Sequence, residues 1–127
     1  MDRKTVLVVD DSESICDALA CVLEIAGHLP VLAMDGEQGV SRAREHRPDV
    51  ILLDIMMPVL DGWGAVRRLR ADPLTAGIPV LALTALRLSQ AQMEEAGFDG
   101  YLSKPIPTHR LLEEIERACA RARAATA

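Results

Sequence analysis

The hydrophobic pattern of the chain consists of short apolar runs that alternate with longer amphipathic stretches. One run, residues 49–58, reads Asp-Val-Ile-Leu-Leu-Asp-Ile-Met-Met-Pro, so four apolar residues lead into Asp54 and Pro58 stops regular structure. A short continuous apolar run bounded by turn residues predicts a strand buried on both faces, as in a parallel sheet. An aspartate at the end of a strand is usually a turn or capping residue, so a chemical role for Asp54 depends on the other strands.

Four further apolar runs predict strands, and a stretch of helical periodicity follows each strand. The predicted strands cover residues 5–9, 30–33, 50–53, 78–83 and 100–102. The predicted helices run from Ser12 or Ser14 to about Ala26, then to about His46, to about Ala71, from Ser89 to Ala96, and from about Thr108 onward. Five strands that alternate with five helices predict an α/β fold with a parallel sheet covered on both faces, and residues 1–127 as one domain.

Two predicted helices carry details that bear on packing. Gly39 lies inside the second helix and is predicted to weaken it by up to ~1 kcal/mol relative to alanine. In the third helix, Val66 and Leu69 are predicted to face the core. The remaining polar positions of that helix are predicted to face solvent: Arg67, Arg68 and Arg70.

Polar side chains follow four of the predicted strands at the point where each strand ends. They are Asp10 and Asp11 after the first strand, Asp54 after the third, Thr84 after the fourth and Lys104 after the fifth. Because the carboxyl ends of parallel strands share one edge of the sheet, we expect these side chains on one rim. Three carboxylates there repel one another unless a cation lies among them, and hard oxygen ligands suit Mg²⁺. The rim therefore predicts a magnesium site where Lys104 and Thr84 contact a phosphoryl group and Asp54 is the nucleophile.

Other phosphate chemistries fit this rim less well. No glycine-rich loop follows the first strand, which argues against a dinucleotide site or a P-loop. The segment Asp54-Ile55-Met56 lacks the second aspartate that an aspartyl-phosphate hydrolase of the dehalogenase type carries two residues on. No serine–histidine or cysteine–histidine set is predicted at the rim.

The charge balance narrows the classes of function further. The formal net charge is −5 and the pI is near 5.1, which argues against nucleic-acid binding through a broad basic face. No apolar run approaches the ~18 residues of a membrane span, and the first residues do not form a signal peptide.

Lys4 and Lys104 are the only lysines among 14 basic residues. Lys104 therefore invites a specific role, because arginine does not replace a compact ammonium group.

The cysteines and histidines are predicted to take no part in chemistry. Cys16 and Cys21 point about 140° apart on one predicted helix and cannot bridge each other. Together with Cys119 they have no metal-ligand spacing, so all three are interpreted as reduced thiols of a cytoplasmic protein. The histidines lack partners at ligand spacing and are interpreted as surface residues: His28, His46 and His109.

The strand ends and their flanking motifs resemble the receiver domain of two-component response regulators, over nearly the whole chain. The matching motifs are Val-Val-Asp-Asp-Ser at 8–12, Leu-Asp-Ile-Met-Met-Pro at 53–58 with Asp-Gly at 61–62, Ala-Leu-Thr-Ala at 82–85, and Tyr-Leu-Ser-Lys-Pro at 101–105. The resemblance implies a flavodoxin-like sheet of five parallel strands in the order 2-1-3-4-5. It also implies phosphorelay signal transduction, in which Asp54 accepts a phosphoryl group from a phosphohistidine of a sensor histidine kinase or a histidine phosphotransfer protein.

Matching to the family residue by residue implies a magnesium site. Asp11, Asp54 and the backbone carbonyl of Met56 would ligate Mg²⁺, and Asp10 would hold a metal-bound water. Such a protein catalyses only its own aspartyl phosphorylation and dephosphorylation, so it is not expected to be an enzyme that acts on another substrate.

The resemblance also implies a switch at the other end of the rim. Thr84 and Lys104 would bind phosphoryl oxygens, and the Lys104–Pro105 peptide bond would be cis. Tyr101 matches the aromatic switch position, where phosphorylation draws the Thr84 hydroxyl inward and the ring fills the vacated space. The alternative is a structural tyrosine, half-buried on an edge strand.

Two apolar positions near Asp54 suggest a long-lived phosphoryl group. Met56 lies two residues after Asp54 and Leu86 two residues after Thr84, and in the family these positions flank the route of the attacking water. Neither side chain can orient a water by hydrogen bonding, so we hypothesise slow loss of phosphate. Trp63, which starts the third helix, is interpreted as a packing residue that could also report binding at the rim.

The resemblance leaves two hypotheses for output. In the first, phosphorylation switches the face formed by the fourth helix, fifth strand and fifth helix, which then binds a downstream protein. In the second, the domain is a phosphate sink or scaffold without its own output. We expect no DNA-binding domain after Ala127, the last residue of the sequence. We therefore expect a stand-alone or hybrid-kinase receiver in the cytoplasm that binds neither nucleic acid nor membrane directly.

Overall fold

The computed structural model of the protein describes residues 3–85 and 89–126, and it contains one parallel sheet flanked by helices. The strands are β1 (Thr5–Val9), β2 (Leu29–Ala33), β3 (Val50–Asp54), β4 (Val80–Thr84) and β5 (Gly100–Ser103). The helices are α1 (Glu13–Ile25), α2 (Gly36–His46), α3 (Gly62–Ala71), α4 (Gln90–Ala96) and α5 (Thr108–Thr126). The strand order is β2-β1-β3-β4-β5, with every pair parallel, which confirms the predicted flavodoxin-like sheet.

The central strands are buried on both faces. In β3, Ile51 and Leu53 belong to the core between the sheet and α2, α3 and α4, whereas Val50 and Leu52 belong to the core beneath α1 and α5. A continuous apolar run is stable here because successive side chains enter two different cores. The prediction of a doubly covered strand at this position is confirmed.

Polar caps set where the helices begin. The side chain of Ser12 accepts the N–H of Ile15 at the start of α1, and Asp61 accepts the N–H of Gly64 at the start of α3. Ser89 and Gln92 form a reciprocal capping box on α4. Such caps satisfy N–H groups that have no partner within the helix, so each helix starts within a few residues of the rim.

Gly39 has a packing role that helix propensity alone does not reveal. A Cβ atom at this position would lie 2.9 Å from both Cγ atoms of Val9. Glycine therefore allows α2 to approach β1 closely, and the loss of helix propensity is offset by this contact.

Several side chains lie elsewhere than predicted. His28 is buried, and its Nδ1 accepts the backbone N–H of Lys4 at 3.1 Å, so its interpretation as a surface residue is wrong. Arg70 is not directed to solvent, because its guanidinium donates to three backbone carbonyls and one carboxylate.

All three cysteines are free, with Cys16 and Cys119 buried and Cys21 exposed.

Among the described residues, no helix combines the length and the apolar character that crossing a bilayer requires.

Candidate functional site

The predicted polar side chains meet at the carboxyl end of the sheet. Asp10 follows β1, Asp54 ends β3, Thr84 ends β4 and Lys104 follows β5. Asp10, Asp54 and Thr84 are buried, Lys104 is half-buried, and Asp11 faces solvent. The parallel topology therefore produces the rim that the strand ends predicted.

Three carboxylates converge on this rim. Asp10, Asp11 and Asp54 each place a carboxylate oxygen so that the three lie within 4.8 Å of one another. Asp10 is fixed by the N–H of Ser12, which donates to its Oδ1 at 2.9 Å, and Asp54 accepts the N–H of Met56 at 3.2 Å. Both carboxylates are thus oriented by the backbone that follows their own strand.

Lys104 connects two of the carboxylates. Its Nζ lies 2.9 Å from Oδ2 of Asp10 and 3.4 Å from Oδ2 of Asp54. The backbone N–H of Lys104 donates to the carbonyl of Thr84, and the Lys104–Pro105 bond is cis. The ammonium group is therefore held over Asp54 by β5 and its link to β4, and the predicted cis bond is present.

The environment shifts the pKa values of the acceptor and the lysine. Burial, followed by the negative charge of Asp10, raises the pKa of Asp54 above its usual value, against the opposing effects of Lys104 and the Met56 N–H. Burial lowers the pKa of Lys104, but its hydrogen bond and charge interaction with Asp10 and the charge of Asp54 outweigh it, so the net shift is upward. Ionisation of the Asp54 carboxyl is thus costly unless more positive charge lies near it.

The donor set of the rim fits a magnesium ion. Mg²⁺ takes oxygen ligands, commonly one or two carboxylates with waters and a phosphate oxygen. Asp10 and Asp54 are buried beside each other with one ammonium group between them, and Asp11 adds a third carboxylate at the solvent side. These three residues would hold the ion. The backbone carbonyl of Met56 as a further ligand stays a prediction.

The loop after β3 is held tightly against Asp54. Gly62 donates its N–H to the carbonyl of Ile55 at 2.8 Å, and a Cβ atom at Gly62 would lie 2.6 Å from the carbonyl oxygen of Asp54. The glycine of the Asp-Gly motif therefore lets α3 start directly behind Asp54. Val59 in this loop has φ +71°, a left-handed conformation that is unfavourable for a β-branched residue.

Two of the residues predicted to control switching and lifetime, Tyr101 and Met56, have exposed side chains. Tyr101 pairs with Ala82 in the β4–β5 ladder and is 38% exposed on an edge strand, so both its switch role and the structural alternative stay predictions. The side chain of Met56 is 65% exposed beside the acceptor. Leu86 lies outside the described residues. Trp63 packs edge-to-face on Phe98, with ring centroids 5.8 Å apart, as expected of a packing residue.

One contact to the site was not foreseen from the sequence. The buried thiol of Cys16 donates to the backbone carbonyl of Asp10 at 3.3 Å. Burial, reinforced by the charge of Asp10, raises the pKa of this thiol to about 11, so it remains a protonated structural group. The sequence did hold a signal for this contact. Cys16 follows Asp10 by six residues, a spacing that brings the first turn of α1 over the end of β1.

The fold and the acidic rim define a receiver domain. The family model described as "Response regulator receiver domain" matches residues 6–116, and the chain belongs to this family. Receiver domains act in two-component signalling, bind Mg²⁺ at an acidic pocket and interact with histidine kinases or phosphotransfer proteins.

Similar proteins include single-domain and longer relatives. The chain is 38% identical to Protein PilH of Pseudomonas aeruginosa over 117 residues, which covers 91% of this chain and 97% of that protein. It is 33% identical to the polar-differentiation response regulator DivK of Brucella anthropi, with 89% and 94% covered. It is 40% identical to the DNA-binding dual master transcriptional regulator RpaA of Synechocystis, but the match covers 87% of this chain and spans only 46% of that protein.

Solved structures agree with this assignment. The chemotaxis protein CheY4 of Vibrio cholerae superposes with a TM-score of 0.86 at 32% identity, covering 92% of this chain and 99% of that one. The receiver domain of the sensor histidine kinase PA1611 of Pseudomonas aeruginosa also gives a TM-score of 0.86 at 32% identity, covering 94% and 99%. That structure has a magnesium ion coordinated in the active-site cleft.

Proposed function

We propose that this receiver domain accepts a phosphoryl group on Asp54 from a phosphohistidine partner, in a Mg²⁺-dependent reaction, and thereby switches a surface for protein binding. The observation that carries the proposal is the position of Asp54. Its carboxylate lies buried at the end of β3, with Lys104 Nζ 3.4 Å away and the carboxylates of Asp10 and Asp11 beside it.

The transfer is a displacement at phosphorus. An oxygen of the Asp54 carboxylate forms a bond to phosphorus while the phosphorus–nitrogen bond of the phosphohistidine breaks. The electron pair of that bond goes to the imidazole nitrogen, which takes up a proton from water. Burial and the Asp10 charge raise the pKa of Asp54, so added positive charge at the rim would favour the ionised carboxylate that attacks phosphorus.

The charged groups of the rim support this displacement. Asp11 and Asp54, with Asp10 through a metal-bound water, would hold Mg²⁺, which would supply positive charge that offsets the charge of the phosphoryl oxygens. Lys104 is positioned by its own backbone bond to Thr84 and can turn its ammonium group from Asp54 to a phosphoryl oxygen without leaving Asp10. Thr84, buried at the end of β4, would donate its hydroxyl to another phosphoryl oxygen.

The proposed output surface is the face of α4, β5 and α5. Tyr101 lies on this face, and Glu114 of α5 pairs there with Arg117 at 3.3 Å and with Arg110 at 4.0 Å. The two arginines are exposed whereas Glu114 is largely buried, so the arginine side chains are available to a protein partner. With a net charge of −5, we expect residues 1–127 to act on proteins in the cytoplasm rather than to bind DNA directly.

Intact-mass spectrometry tests the chemistry. Phosphoramidate, a small donor with a phosphorus–nitrogen bond, should add one phosphoryl group in the presence of Mg²⁺ and none in the presence of EDTA. Asp54→Ala should abolish the gain, whereas Asp17→Asn, an exposed change of the same charge on α1, should leave it intact. No gain in the unaltered protein, or a gain that survives Asp54→Ala, would overturn the proposal.

A binding experiment separates a switch from a phosphate sink. The protein loaded with Mg²⁺ and beryllofluoride, a phosphoryl mimic, should retain partner proteins that the untreated protein and Asp54→Ala do not. Identical partner sets in all three samples would favour a sink or scaffold without its own output.

A further inference from the structure

α4 is attached to the rest of the protein unequally at its two ends. At the amino end, residues 89–92 are all exposed. Within the part of the chain that the structure describes, their side-chain hydrogen bonds stay within the helix and its cap, between Ser89, Gln90, Gln92 and Glu94. The buried side chain of α4 is Met93, at the middle of the helix. Little tertiary packing therefore opposes movement of the amino end.

The carboxyl end of α4, in contrast, is held against α3 by hydrogen bonds from Arg70. Its Nε donates to the carbonyl of Gly97 at 2.9 Å, and its Nη2 donates to Asp99 at 2.6 Å. Its Nη1 donates to the carbonyls of Ala76 and Ile78, which lead into β4. One guanidinium thus joins the end of α4 to the start of β4 and to the start of β5.

Two further contacts fix the same point. The ring of Phe98, directly after Gly97, packs edge-to-face on Trp63 of α3. Gly97 has φ +107°, and a Cβ atom there would lie 3.3 Å from Cγ of Arg70. The side chain of Asp99 also accepts the N–H of Val80 at 2.8 Å. The chain therefore leaves α4 in one strongly determined conformation.

We propose that Arg70 is a positioning residue that makes the carboxyl end of α4 a fixed pivot, so that phosphorylation moves this helix at its amino end. The inference rests on the proposed function, because it names the motion by which the output face would change. The less attached end is also the end that follows Thr84 along the chain, so a change at the rim reaches it first. The anchored end lies against α3 and the starts of β4 and β5, away from the rim.

Amide hydrogen exchange, measured residue by residue, tests the anchor in the absence of any phosphodonor. Arg70→Met keeps the apolar stem of the side chain but removes all its donors. Exchange at Gly97, Phe98 and Asp99 should become at least about tenfold faster relative to the amides of β3, and Arg70→Lys should fall between the two. Arg67→Met, an exposed change on the same helix, should have no effect. Equal exchange in all four proteins would overturn the inference.

The same measurement with Mg²⁺ and beryllofluoride tests the pivot. In the unaltered protein, exchange should change at the amides of residues 89–93 and stay constant at Gly97, Phe98 and Asp99. In Arg70→Met the change should spread to the carboxyl end. An equal change at both ends of α4 in the unaltered protein would contradict the pivot. Failure of beryllofluoride to bind at all would instead count against the proposed function, and the ligand-free comparison would still decide whether Arg70 is the anchor.

Discussion

At the scale of single residues, the site depends on one carboxylate that the fold keeps in an unfavourable environment. Asp54 is buried beside Asp10, and the single ammonium group of Lys104 serves both. The raised pKa of Asp54 means that the folded protein favours its protonated form more than the unfolded chain does. Ionised Asp54 therefore lowers stability at neutral pH. This cost shrinks as the pH falls through the raised pKa of the folded protein, and it is absent below the ordinary pKa of an aspartate in the unfolded chain.

Asp54→Asn should therefore stabilise the metal-free protein. At neutral pH the midpoint of thermal unfolding should rise by a few degrees, equivalent to about 1 kcal/mol, because the repulsion with Asp10 is removed. The gain should shrink as the pH falls through the raised pKa, since unaltered Asp54 then becomes neutral as well. Thermal unfolding in EDTA across a pH series checks this, with Asp17→Asn as the exposed control. A gain that does not depend on pH would exclude the electrostatic explanation.

Met56 is predicted to set the lifetime of the phosphoryl group. Its backbone is fixed by the N–H bond to Asp54, while its exposed side chain lies at the mouth of the site. Replacing it by a side chain that can orient water, in Met56→Asn or in Met56→Asn with Leu86→Glu, should speed phosphate loss several-fold, up to about tenfold.

The decay of the phosphorylated mass after removal of the donor measures this rate. Met34→Asn, an equivalent change at an exposed methionine after β2, is the control and should leave the decay unchanged. Unaltered decay in both Met56 variants would refute the shielding hypothesis.

At the scale of elements, the local patterns were sufficient to predict every strand and helix to within a few residues. The apolar runs are continuous because the strands are buried on both faces, and Ser12, Asp35, Asp61 and Ser89 cap the helices. What the patterns did not reveal were contacts between distant parts of the chain. The roles of His28, Gly39 and Arg70 depend on neighbours that become adjacent only after folding.

Gly39 provides a test of this difference between local propensity and packing. By propensity alone, Gly39→Ala should stabilise α2 by up to about 1 kcal/mol. Because the added methyl group would lie 2.9 Å from both Cγ atoms of Val9, we expect the protein to lose about 1–3 kcal/mol instead. Denaturant unfolding measures the change. Gly77→Ala is the matched control, because a Cβ at that position meets nothing within 4 Å and should cause no such loss. A stabilised Gly39→Ala protein would contradict the packing explanation, since it would show that α2 shifts freely.

At the scale of the whole molecule, the parallel sheet assembles a site from residues that are far apart in sequence. Asp10 and Lys104 are 94 positions apart, yet their side chains form a 2.9 Å ion pair. This arrangement could be predicted because parallel strands place all their carboxyl ends at one edge. The sequence could not predict the distances in the site, the burial of its side chains or the unequal attachment of α4, because these depend on how the helices pack against the sheet.

The net repulsion at the rim predicts that magnesium stabilises the folded protein. At a concentration of about five times its Kd, Mg²⁺ should raise the free energy of unfolding by about 1 kcal/mol, since the unfolded chain has no assembled site. Asp11→Asn should reduce this gain, and Asp17→Asn should preserve it. Thermal unfolding at a series of Mg²⁺ concentrations gives the result, and equal gains in both variants would argue that the ion binds elsewhere.

Chemical mapping of the modified residue tests the central claim most directly. Borohydride reduces an acyl phosphate to an alcohol, so treatment after phosphorylation should convert Asp54 into homoserine, detectable by peptide mass spectrometry. The account predicts this conversion at Asp54 only, and only when both phosphoramidate and Mg²⁺ were present. Conversion at Asp10 or Asp11, or no conversion in a protein that has gained phosphate, would contradict it.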